Sequence, residues 1–380
     1  MISNSIKQYS NVEKFSEVAG NTGVYCGVDA HKNSYTVCIY APEKWAMVTY
    51  STTNTNMNFV DEINSYSFNI KQLVYEAGPT GFPLAWACQN ACSVDEISGE
   101  VISTPIPVKV IAALFVPQAA VKANKSDSRD AKELAILATK PLDLESCSIY
   151  IPTRSEQDLK ELSRLRELAV DEKRKATQRL KSYLLRSGID FPSKNGEYTK
   201  SVGEKLKALD LPPTQHKILC EYVDKVDACA KDKKAKEEML DDALNNSNNA
   251  NDKEKLETIP GIGSIVANTF LSEVPNAKER FANKDQLAQY CGATPIIRES
   301  GEKTGKVRGY LTPMCNTHIQ PLLVQAAWVF VRNDEEANKI YKRKIASGKS
   351  AGTAIMSIVK KLLAIMLSIL KHGTTYKKTV

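Results

Sequence analysis

The sequence lacks the residue pattern of a zinc-binding protein. It has only four histidines, and its nine cysteines are scattered along the 380 residues. Cys88 and Cys92 alone are close together, and their helical spacing without a histidine partner predicts a buried apolar face, not a metal site. A secretory signal is also missing, since Met1–Asn21 is polar and has no continuous apolar segment. We therefore expect a cytoplasmic protein.

Uninterrupted apolar runs that would cross a membrane are missing too. The apolar stretch Ala351–Leu370 is broken by Lys360 and Lys361, and its periodicity predicts an amphipathic or core helix. We therefore expect no membrane partner. The length of 380 residues exceeds that of a usual single domain and predicts two or three domains with ample core.

The net charge of +7 is unevenly distributed along the chain. From Arg332 onward there are eleven Lys or Arg residues against three acids, which leaves 40 basic and 41 acidic residues before it. A basic C-terminal region predicts a polyanionic partner, because cations that neutralise phosphates release counterions. A solvated helix face explains the same charge equally well.

Short apolar segments that alternate with helical ones predict an α/β sheet in the first part of the chain. Strands are indicated at Val24–Val28, Tyr35–Tyr40, Lys71–Tyr75 and Val101–Thr104, and a helix begins near Phe82. Open α/β sheets usually place functional side chains at the ends of their strands. The polar residues that follow these strands are therefore candidates for a functional site.

Two acids follow strands and two more begin a helix. Asp29 ends the first strand, in Gly-Val-Asp-Ala-His-Lys, and Glu76 ends the third. Asp127 and Asp130 lie at an apparent helix start, in Ser-Asp-Ser-Arg-Asp-Ala. Carboxylate oxygens suit Mg²⁺ or Mn²⁺, and this order of acids predicts a ribonuclease-H-like nuclease core with two metals. Each acid alone is more often a surface group, and Asp127 would also serve as an N-cap.

A long helical region follows the predicted sheet. Leucines recur at threes and fours between Ser155 and Arg186, and a second apolar pattern runs from Ile218 to Leu244. We expect these helices to pair as an antiparallel hairpin or to associate between chains, which favours dimerisation. The run Asn245–Asn251 has no apolar periodicity and predicts a flexible linker at a domain boundary.

Residues 256–267 predict a helix–hairpin–helix. Gly261 and Gly263, in Ile-Pro-Gly-Ile-Gly, permit a tight turn, and backbone N–H groups at the start of the next helix can face a phosphate. Such a hairpin contacts DNA without reading its sequence. An ordinary glycine-rich turn between two helices is the alternative.

A basic segment with one notable serine lies at 290–309. Ser300 stands beside Gly301, and a hydroxyl can attack a phosphodiester when its proton is removed and cations stabilise the developing charge. The cations that we expect to contact nucleic acid here are Arg298, Lys303, Lys306 and Arg308. A turn or a passive phosphate contact is the more frequent role of such a loop.

Five motifs, taken in order, resemble those of a known family. They are Gly-Val-Asp-Ala-His-Lys, Glu-Ala-Gly-Pro-Thr-Gly, Asp-x-x-Asp-Ala, Ile-Pro-Gly-Ile-Gly, and Tyr-Cys-Gly-Ala-Thr-Pro with a downstream Ser-Gly. Over residues 22–370 the chain resembles the DEDD insertion-sequence transposases of the IS-one-ten class, relatives of the Piv DNA invertase. No single motif is decisive, but five in the same order form a strong signal.

The resemblance implies a fold class of α/β plus all-α. After an N-terminal extension at 1–21, it implies a RuvC-like, ribonuclease-H-like domain at 22–150 and a coiled-coil insert with the Asn-rich linker at 151–252. A C-terminal transposase domain with the helix–hairpin–helix would occupy 253–380. Ser300 would be the nucleophile of that domain. The implied acidic tetrad, which would bind Mg²⁺ or Mn²⁺, is Asp29, Glu76, Asp127 and Asp130.

The resemblance also implies a reaction and its partners. Donor and target DNA would be cut and rejoined through a phosphoserine intermediate, guided by a noncoding bridge RNA that pairs with both. The implied assembly is a homo-oligomer, with a dimer that becomes a tetramer in the synapse, at the nucleoid of a prokaryotic cell. The acids and the serine would then come together from different protomers.

Two other functions stay open at this point. A RuvC-like nuclease, resolvase or site-specific invertase would use the four acids, and a nuclease would need no covalent link to protein. An inactive transposase relative would only bind nucleic acid, without a metal.

Overall fold

The computed structural model describes residues 6–91, 93–94, 101–112, 126–193, 195–294 and 315–377. The chain divides into two compact units, Met1–Thr153 and Arg154–Val380. The first unit contains a mixed sheet with helices and the second is helical, in agreement with the predicted class of α/β plus all-α. The finer predicted division at 22–150, 151–252 and 253–380 stays a prediction.

The described part of the first unit contains strands and α-helices in alternation. The strands are β1 (Lys7–Tyr9), β2 (Gly23–Ala30), β3 (Tyr35–Ala41), β4 (Ala46–Thr52), β5 (Asn69–Glu76), β6 (Ser93–Val94), β7 (Val101–Ser103), β8 (Val108–Ile111) and β9 (Ser148–Ile149). The helices are α1 (Val12–Ala19), α2 (Met57–Ser65), α3 (Pro83–Asn90), α4 (Asp127–Ala138) and α5 (Pro141–Cys147), with a 3-10 turn at Pro42–Lys44.

The main sheet has the strand order β1-β4-β3-β2-β5-β8-β9. Strands β2, β3 and β4 form an antiparallel meander, whereas β5 pairs parallel with both β2 and β8. This mixed arrangement is consistent with a ribonuclease-H-like domain. Three of the four predicted strands lie in it as β2, β3 and β5, but β7 pairs with β6 in a separate two-stranded sheet.

Helices cover both faces of the main sheet. Val28 of β2 and Tyr75 of β5 point into a core that also contains residues of α1, α2 and α3. Val74 and Ile111 point the other way and pack with Leu134 and other residues of α4 and α5. Because successive residues of a strand face opposite sides, each strand contributes to both cores.

Residues 6–21 contain β1 and α1, which belong to this unit, and the predicted boundary at 21 stays a prediction. Strand β1 pairs parallel with β4 at the edge of the sheet, and Phe15 of α1 is fully buried in the core. Phe15 also packs its ring against Tyr9 and Phe68. A three-residue edge strand and an eight-residue helix leave little periodic signal in this part of the sequence.

The second unit contains helices throughout its described part. They are α6 (Arg154–Arg186), α7 (Lys200–Lys207), α8 (Pro213–Asn245), α9 (Ala250–Glu257), α10 (Ser264–Glu273), α11 (Ala277–Arg280), α12 (Lys284–Tyr290), α13 (Gln320–Asn333), α14 (Glu335–Ala346) and α15 (Ala351–His372).

Helices α6 and α8 form the predicted antiparallel hairpin. Arg166 contacts Glu237 at 3.2 Å near one end, and Tyr183 stacks on Tyr222 with ring centroids 4.9 Å apart toward the other. Gly188, with φ of +66°, ends α6 in the left-handed conformation that favours glycine. Proline at the start of α8 fits the first helical turn, where its missing N–H is not needed. Association between chains stays a prediction.

The predicted flexible linker at Asn245–Asn251 was wrong. A short hydrogen-bonded turn joins α8 to α9, in which the backbone N–H of Asn246 donates to Asp242 and that of Ser247 donates to Leu244. Leu244 and Leu256, on either side of the turn, share one hydrophobic core. An asparagine-rich composition therefore does not mark a boundary between compact units here.

Helix α15 is the core helix that its periodicity predicts. It is long and apolar enough to cross a membrane, but 56% of the apolar window is buried within the protein. Lys360 and Lys361, which interrupt the apolar stretch, lie at its surface and pair with Asp285 and Glu336. The helix is therefore explained by packing within the second unit.

One carboxylate ties α8, α9 and α10 together. The Oδ1 atom of Asp241 accepts hydrogen bonds from Lys253 at 2.6 Å, Ser264 at 2.6 Å and Asn268 at 2.8 Å. The Lys253 ammonium and the two neutral donors hold the pKa of Asp241 well below its ordinary value of 3.8. The resulting stability is present above pH 3.8 and is lost as the pH falls below it, because the unfolded chain then binds the proton first.

We expect Asp241→Asn to destabilise the second unit by about 1–2 kcal/mol, since the nearly buried Lys253 loses its carboxylate. Urea denaturation at pH 7 measures the effect. Asp242→Asn, at an exposed neighbouring position, is the matched control and should unfold like the unchanged protein. Equal midpoints for the two variants would show that the Asp241 contacts contribute no net stability.

Candidate functional site

Close packing of α4 on the sheet builds the site. Gly27 of β2 lies so near α4 that an added Cβ would overlap the backbone of Ala131 and Ala135 and lie 2.8 Å from the Cβ of Leu134. Only glycine leaves this space, so the helix lies directly on the strand. The contact between Gly27 and α4 therefore sets the position of the first turn of α4 relative to β2.

Asp29 and Glu76 lie at neighbouring strand ends on the face that α4 covers. Asp29 is two residues beyond Gly27, and Glu76 is two residues beyond Val74, so each shares the α4 face with its predecessor. The parallel register pairs Val28 with Tyr75, which brings the next residues, Asp29 and Glu76, side by side. Two of the predicted acids therefore lie side by side at the C-terminal ends of the neighbouring strands β2 and β5.

Asp127 and Asp130 occupy the first turn of α4. Asp127 lies four residues before Ala131, and Asp130 lies four residues before Leu134, on the stripe that packs against the sheet. The first turn therefore stands above the strand ends. The N-cap of the helix is Ser126, with extended backbone angles, and not Asp127. The N-terminal end of the helix dipole stabilises both carboxylates.

The structure brings Asp29, His31 and Asp127 together. The Nε2 atom of His31 lies 3.3 Å from Oδ2 of Asp29 and 3.4 Å from Oδ2 of Asp127. The side chain of Asp29 is 24% exposed, whereas His31 is 53% and Asp127 is 63% exposed. One ligand atom from each of the three residues lies within 4.8 Å of the other two.

This donor set fits a divalent cation. Two carboxylates and one imidazole supply oxygen and nitrogen ligands that first-row divalent metals accept, and the exposed side leaves room for a phosphate. Glu76 and Asp130 stand beside this cluster without being members of it. Sequence reasoning missed His31, although its position two residues after Asp29, on the same side of an extended chain, would have indicated it.

The predicted hairpin exists as the turn between α9 and α10. Gly261, with φ of +92°, packs so tightly that an added Cβ would lie 2.5 Å from the carbonyl oxygen of Ala326 on α13. Gly263 is exposed and is the N-cap of α10. The adjoining cavity of about 530 Å³ is lined by Asp241, Glu237 and other acids. Packing explains Gly261, and a phosphate contact at Gly263 stays a prediction.

Ser300 and its four neighbouring cations, Arg298, Lys303, Lys306 and Arg308, lie outside the described residues. The described residues on either side of 295–314 are hydrogen-bonded to each other. The backbone N–H of Asn316 donates to the carbonyl of Tyr290 at 2.7 Å, and Gln320 donates to the carbonyl of Gly292 at 2.7 Å. The residues that flank 295–314 therefore lie close together on the second unit.

A fully buried carboxylate, that of Glu273, lies beside the residues that flank 295–314. Glu273, at the end of α10, has 0% exposure and accepts hydrogen bonds from Arg164 at 3.2 Å and from the Asn316 side chain at 2.8 Å. Tyr290 donates to the backbone carbonyl of Glu273 at 3.1 Å. Burying a charge is costly unless it is paired, and here both oxygens have donors. Tyr290 and Asn316, which lie on either side of 295–314, are thus hydrogen-bonded to a buried residue of the second unit.

Two family models match the chain. A model for DEDD transposases of the IS110 type, described as a transposase, matches residues 26–188. A second, described as the transposase IS116/IS110/IS902 family, matches residues 253–342. The first match includes the four predicted acids, and the second includes Ser300.

Curated relatives agree with these matches. The chain is 26% identical over 288 residues to a protein named as transposase y4qE of Sinorhizobium fredii, covering 76% of this chain and 64% of the relative. It is 26% identical over 239 residues to the transposase for insertion sequence element IS1328 of Yersinia enterocolitica, covering 60% and 65%. The matched region spans slightly less than two thirds of each relative. The chain belongs to the IS110 class of DEDD transposases.

Proposed function

We propose that this protein is the transposase of an insertion sequence, which cuts and rejoins DNA strands with a divalent metal and a serine nucleophile. The observation that carries the proposal is the meeting of Asp29, His31 and Asp127 where β2 ends and α4 begins. A hydrolytic or strand-transfer centre requires such convergent, solvent-accessible ligands. Membership of a transposase family supplies the class of reaction.

The residues that would hold the metal are Asp29, Asp127 and His31. We propose that Glu76 and Asp130 would bind a second ion. Carboxylates in the first turn of a packed helix are held in position by the core beneath them. A bound Mg²⁺ or Mn²⁺ would polarise the scissile phosphate and stabilise charge on the attacking and leaving oxygens. The oxygen-rich set suits either ion, and the imidazole adds a preference for Mn²⁺.

In the proposed reaction the Ser300 hydroxyl attacks the phosphate. The serine Oγ–P bond forms, the P–O3′ bond of the DNA breaks, and the serine proton ends on the leaving 3′ oxygen. A 3′ hydroxyl from another strand then attacks the phosphoserine and releases the serine. The number of phosphodiester bonds is unchanged, so the exchange needs no external energy source.

Donor and target DNA are the proposed substrates, and a structured noncoding bridge RNA is the proposed guide. The proposed assembly is a dimer that forms a tetramer in the synapse, in the cytoplasm at the nucleoid. These partners rest on the resemblance of the five motifs and on the family match. Copurification followed by sequencing of bound RNA tests the guide, and recombination of a defined site by RNA-free protein would exclude it.

We expect Ser300→Ala to abolish the covalent protein–DNA adduct and strand joining, because no other group would take the phosphate. The measurement is trapping of the adduct on a nicked or mismatched donor end, followed by denaturing electrophoresis. Thr304→Ala, which removes a hydroxyl four residues away in the same basic segment, is the matched control and should form the adduct normally.

The outcome separates the candidate functions. If Ser300→Ala still cleaves DNA and leaves a free 5′ phosphate, the protein is a RuvC-like nuclease that uses the acids alone. If an adduct survives the change, the nucleophile is another residue. Unaltered DNA with the unchanged protein in Mg²⁺ and Mn²⁺, under conditions where it binds nucleic acid, would indicate an inactive relative.

A further inference from the structure

The charge of α6 is divided sharply between its two halves. From residue 173 to 186 there are six Lys or Arg residues and no acid, whereas residues 154–172 contain four basic and six acidic residues. The whole-chain balance hides this concentration, because acids elsewhere before Arg332 offset it. The C-terminal half of this single helix is therefore strongly cationic.

Three of these six cations lie along one exposed side of the hairpin. Ala176, Leu180 and Leu184 face the core, so the opposite side of α6 carries the exposed residues. Lys175, Arg179, Ser182 and Arg186 follow each other at intervals of four, three and four along this side. We name the three cations Lys175, Arg179 and Arg186 the α6 stripe.

The helix dipole does not explain the α6 stripe. A helix C-terminus favours cations, but the effect falls off within the last turn, which includes Arg186 and not Arg179 or Lys175. Capping would therefore account for one cation of the three. The other two lie seven and eleven residues before Arg186 in the sequence.

Nearby acids neutralise the α6 stripe only in part. Asp171 is shared by Arg174 at 2.5 Å and Lys175 at 2.6 Å, which leaves one carboxylate for two cations. Among the described residues, Arg179 forms no ion pair, and Arg186 donates to the neutral Ser182 hydroxyl at 2.7 Å. Of the carboxylates of α8 at this end, Asp224 and Asp227 are engaged elsewhere.

Those two carboxylates point to α7 and the segment before it. Lys207 lies 2.5 Å from Asp224 and 3.7 Å from Asp227. Asp227 also accepts a hydrogen bond from Tyr198 at 2.7 Å. Asp224 and Asp227 therefore pair with α7 and with the segment before it, and they do not neutralise the cations of the α6 stripe.

We propose that the α6 stripe binds the phosphodiester backbone of a nucleic-acid duplex. The inference rests on the proposed function for the presence of nucleic acid, but the α6 stripe shares no residue with the acidic cluster and does not include Ser300. Eleven residues of helix span roughly 16 Å, over which a duplex presents several phosphates. Exposed cations at one-turn and two-turn intervals suit contacts that fix position without reading sequence.

The test is the salt dependence of binding by the full chain with Arg179→Ala and Arg186→Ala combined. The probes are a 20-base-pair DNA duplex and a 20-base-pair RNA duplex of arbitrary sequence, titrated at several salt concentrations. Loss of two phosphate contacts should reduce the slope of log K against log salt by about 1.8 on DNA. Circular dichroism shows whether this double variant keeps its helix content.

The control variant combines Lys160→Ala and Lys234→Ala, which removes two cations from the acidic half of the same hairpin. Its slope should equal that of the unchanged chain. A full slope in the Arg179/Arg186 variant would overturn the inference and leave the proposed function standing. A reduced slope on only one duplex would support the inference and identify its partner as DNA or RNA. Absence of salt-dependent binding in the unchanged chain would overturn both.

Discussion

Replacing Asp127 with asparagine is expected to reduce DNA strand cleavage by more than about 100-fold and to weaken Mn²⁺ binding. Groups that only support a metal ligand typically change affinity by about 10–100-fold, so loss of a direct ligand should exceed that range. Asparagine keeps the size of the side chain and removes its charge. Cleavage of a labelled donor end measures the first effect, and electron paramagnetic resonance of bound Mn²⁺ measures the second.

The control is Asp143→Asn, which removes an exposed acid from the first turn of α5 in the same unit. Both variants lose a favourable interaction with a helix dipole, worth about 0.3–1 kcal/mol. Only Asp127→Asn should lose cleavage and bound metal. If both variants merely unfold slightly earlier and cleave equally well, Asp127 stabilises the helix start and is not a ligand.

Gly27→Ala is expected to have the largest effect on the fold of the first unit. The added methyl group would overlap backbone atoms of Ala131 and Ala135, which cannot rotate away as a side chain would. Overpacking of a core typically costs about 1–3 kcal/mol, and a clash with helix backbone belongs at the upper end. Urea denaturation gives the stability, and Mn²⁺ affinity reports whether α4 has moved from the strand ends.

Gly78→Ala is the matched control, because an added Cβ there would meet only the carbonyl oxygen of Glu76, at 4.0 Å. Its denaturation midpoint should stay near that of the unchanged protein. Should Gly27→Ala fail to fold, limited proteolysis of the full chain can show whether the second unit remains compact. An unchanged midpoint and Mn²⁺ affinity in Gly27→Ala would show that α4 tolerates displacement and that its contact does not set the site.

The central strands and long helices were predictable because their patterns are local and repeated. Strands β2 and β5 appear as short apolar runs that end in an acid, and α6 repeats leucine through many turns. The start of α4 was predictable from its paired aspartates. The roles of these acids stay predictions. Their approach to one another at the C-terminal ends of β2 and β5 follows from the strand register and from the packing of α4.

Other features depend on contacts between distant residues and left little local signal. Strand β4 is defined by its antiparallel pairing with β3, and β1 by its pairing with β4. His31 had its spacing from Asp29 as a local signal, but its approach to Asp127, nearly a hundred residues away, depends on the packing of α4. The Asn-rich turn was misread because its order comes from hydrogen bonds and from a core shared by both flanking helices.

The pairing of β1 with β4 has a consequence for solubility. Without β1, the long strand β4 would present a row of unpaired backbone N–H and C=O groups at the rim of the sheet. Exposed edges of this kind recruit strands from other molecules and promote aggregation. Strand β1 (Lys7–Tyr9) therefore covers the edge of β4, and its lysine adds a charge where an incoming strand would otherwise pair.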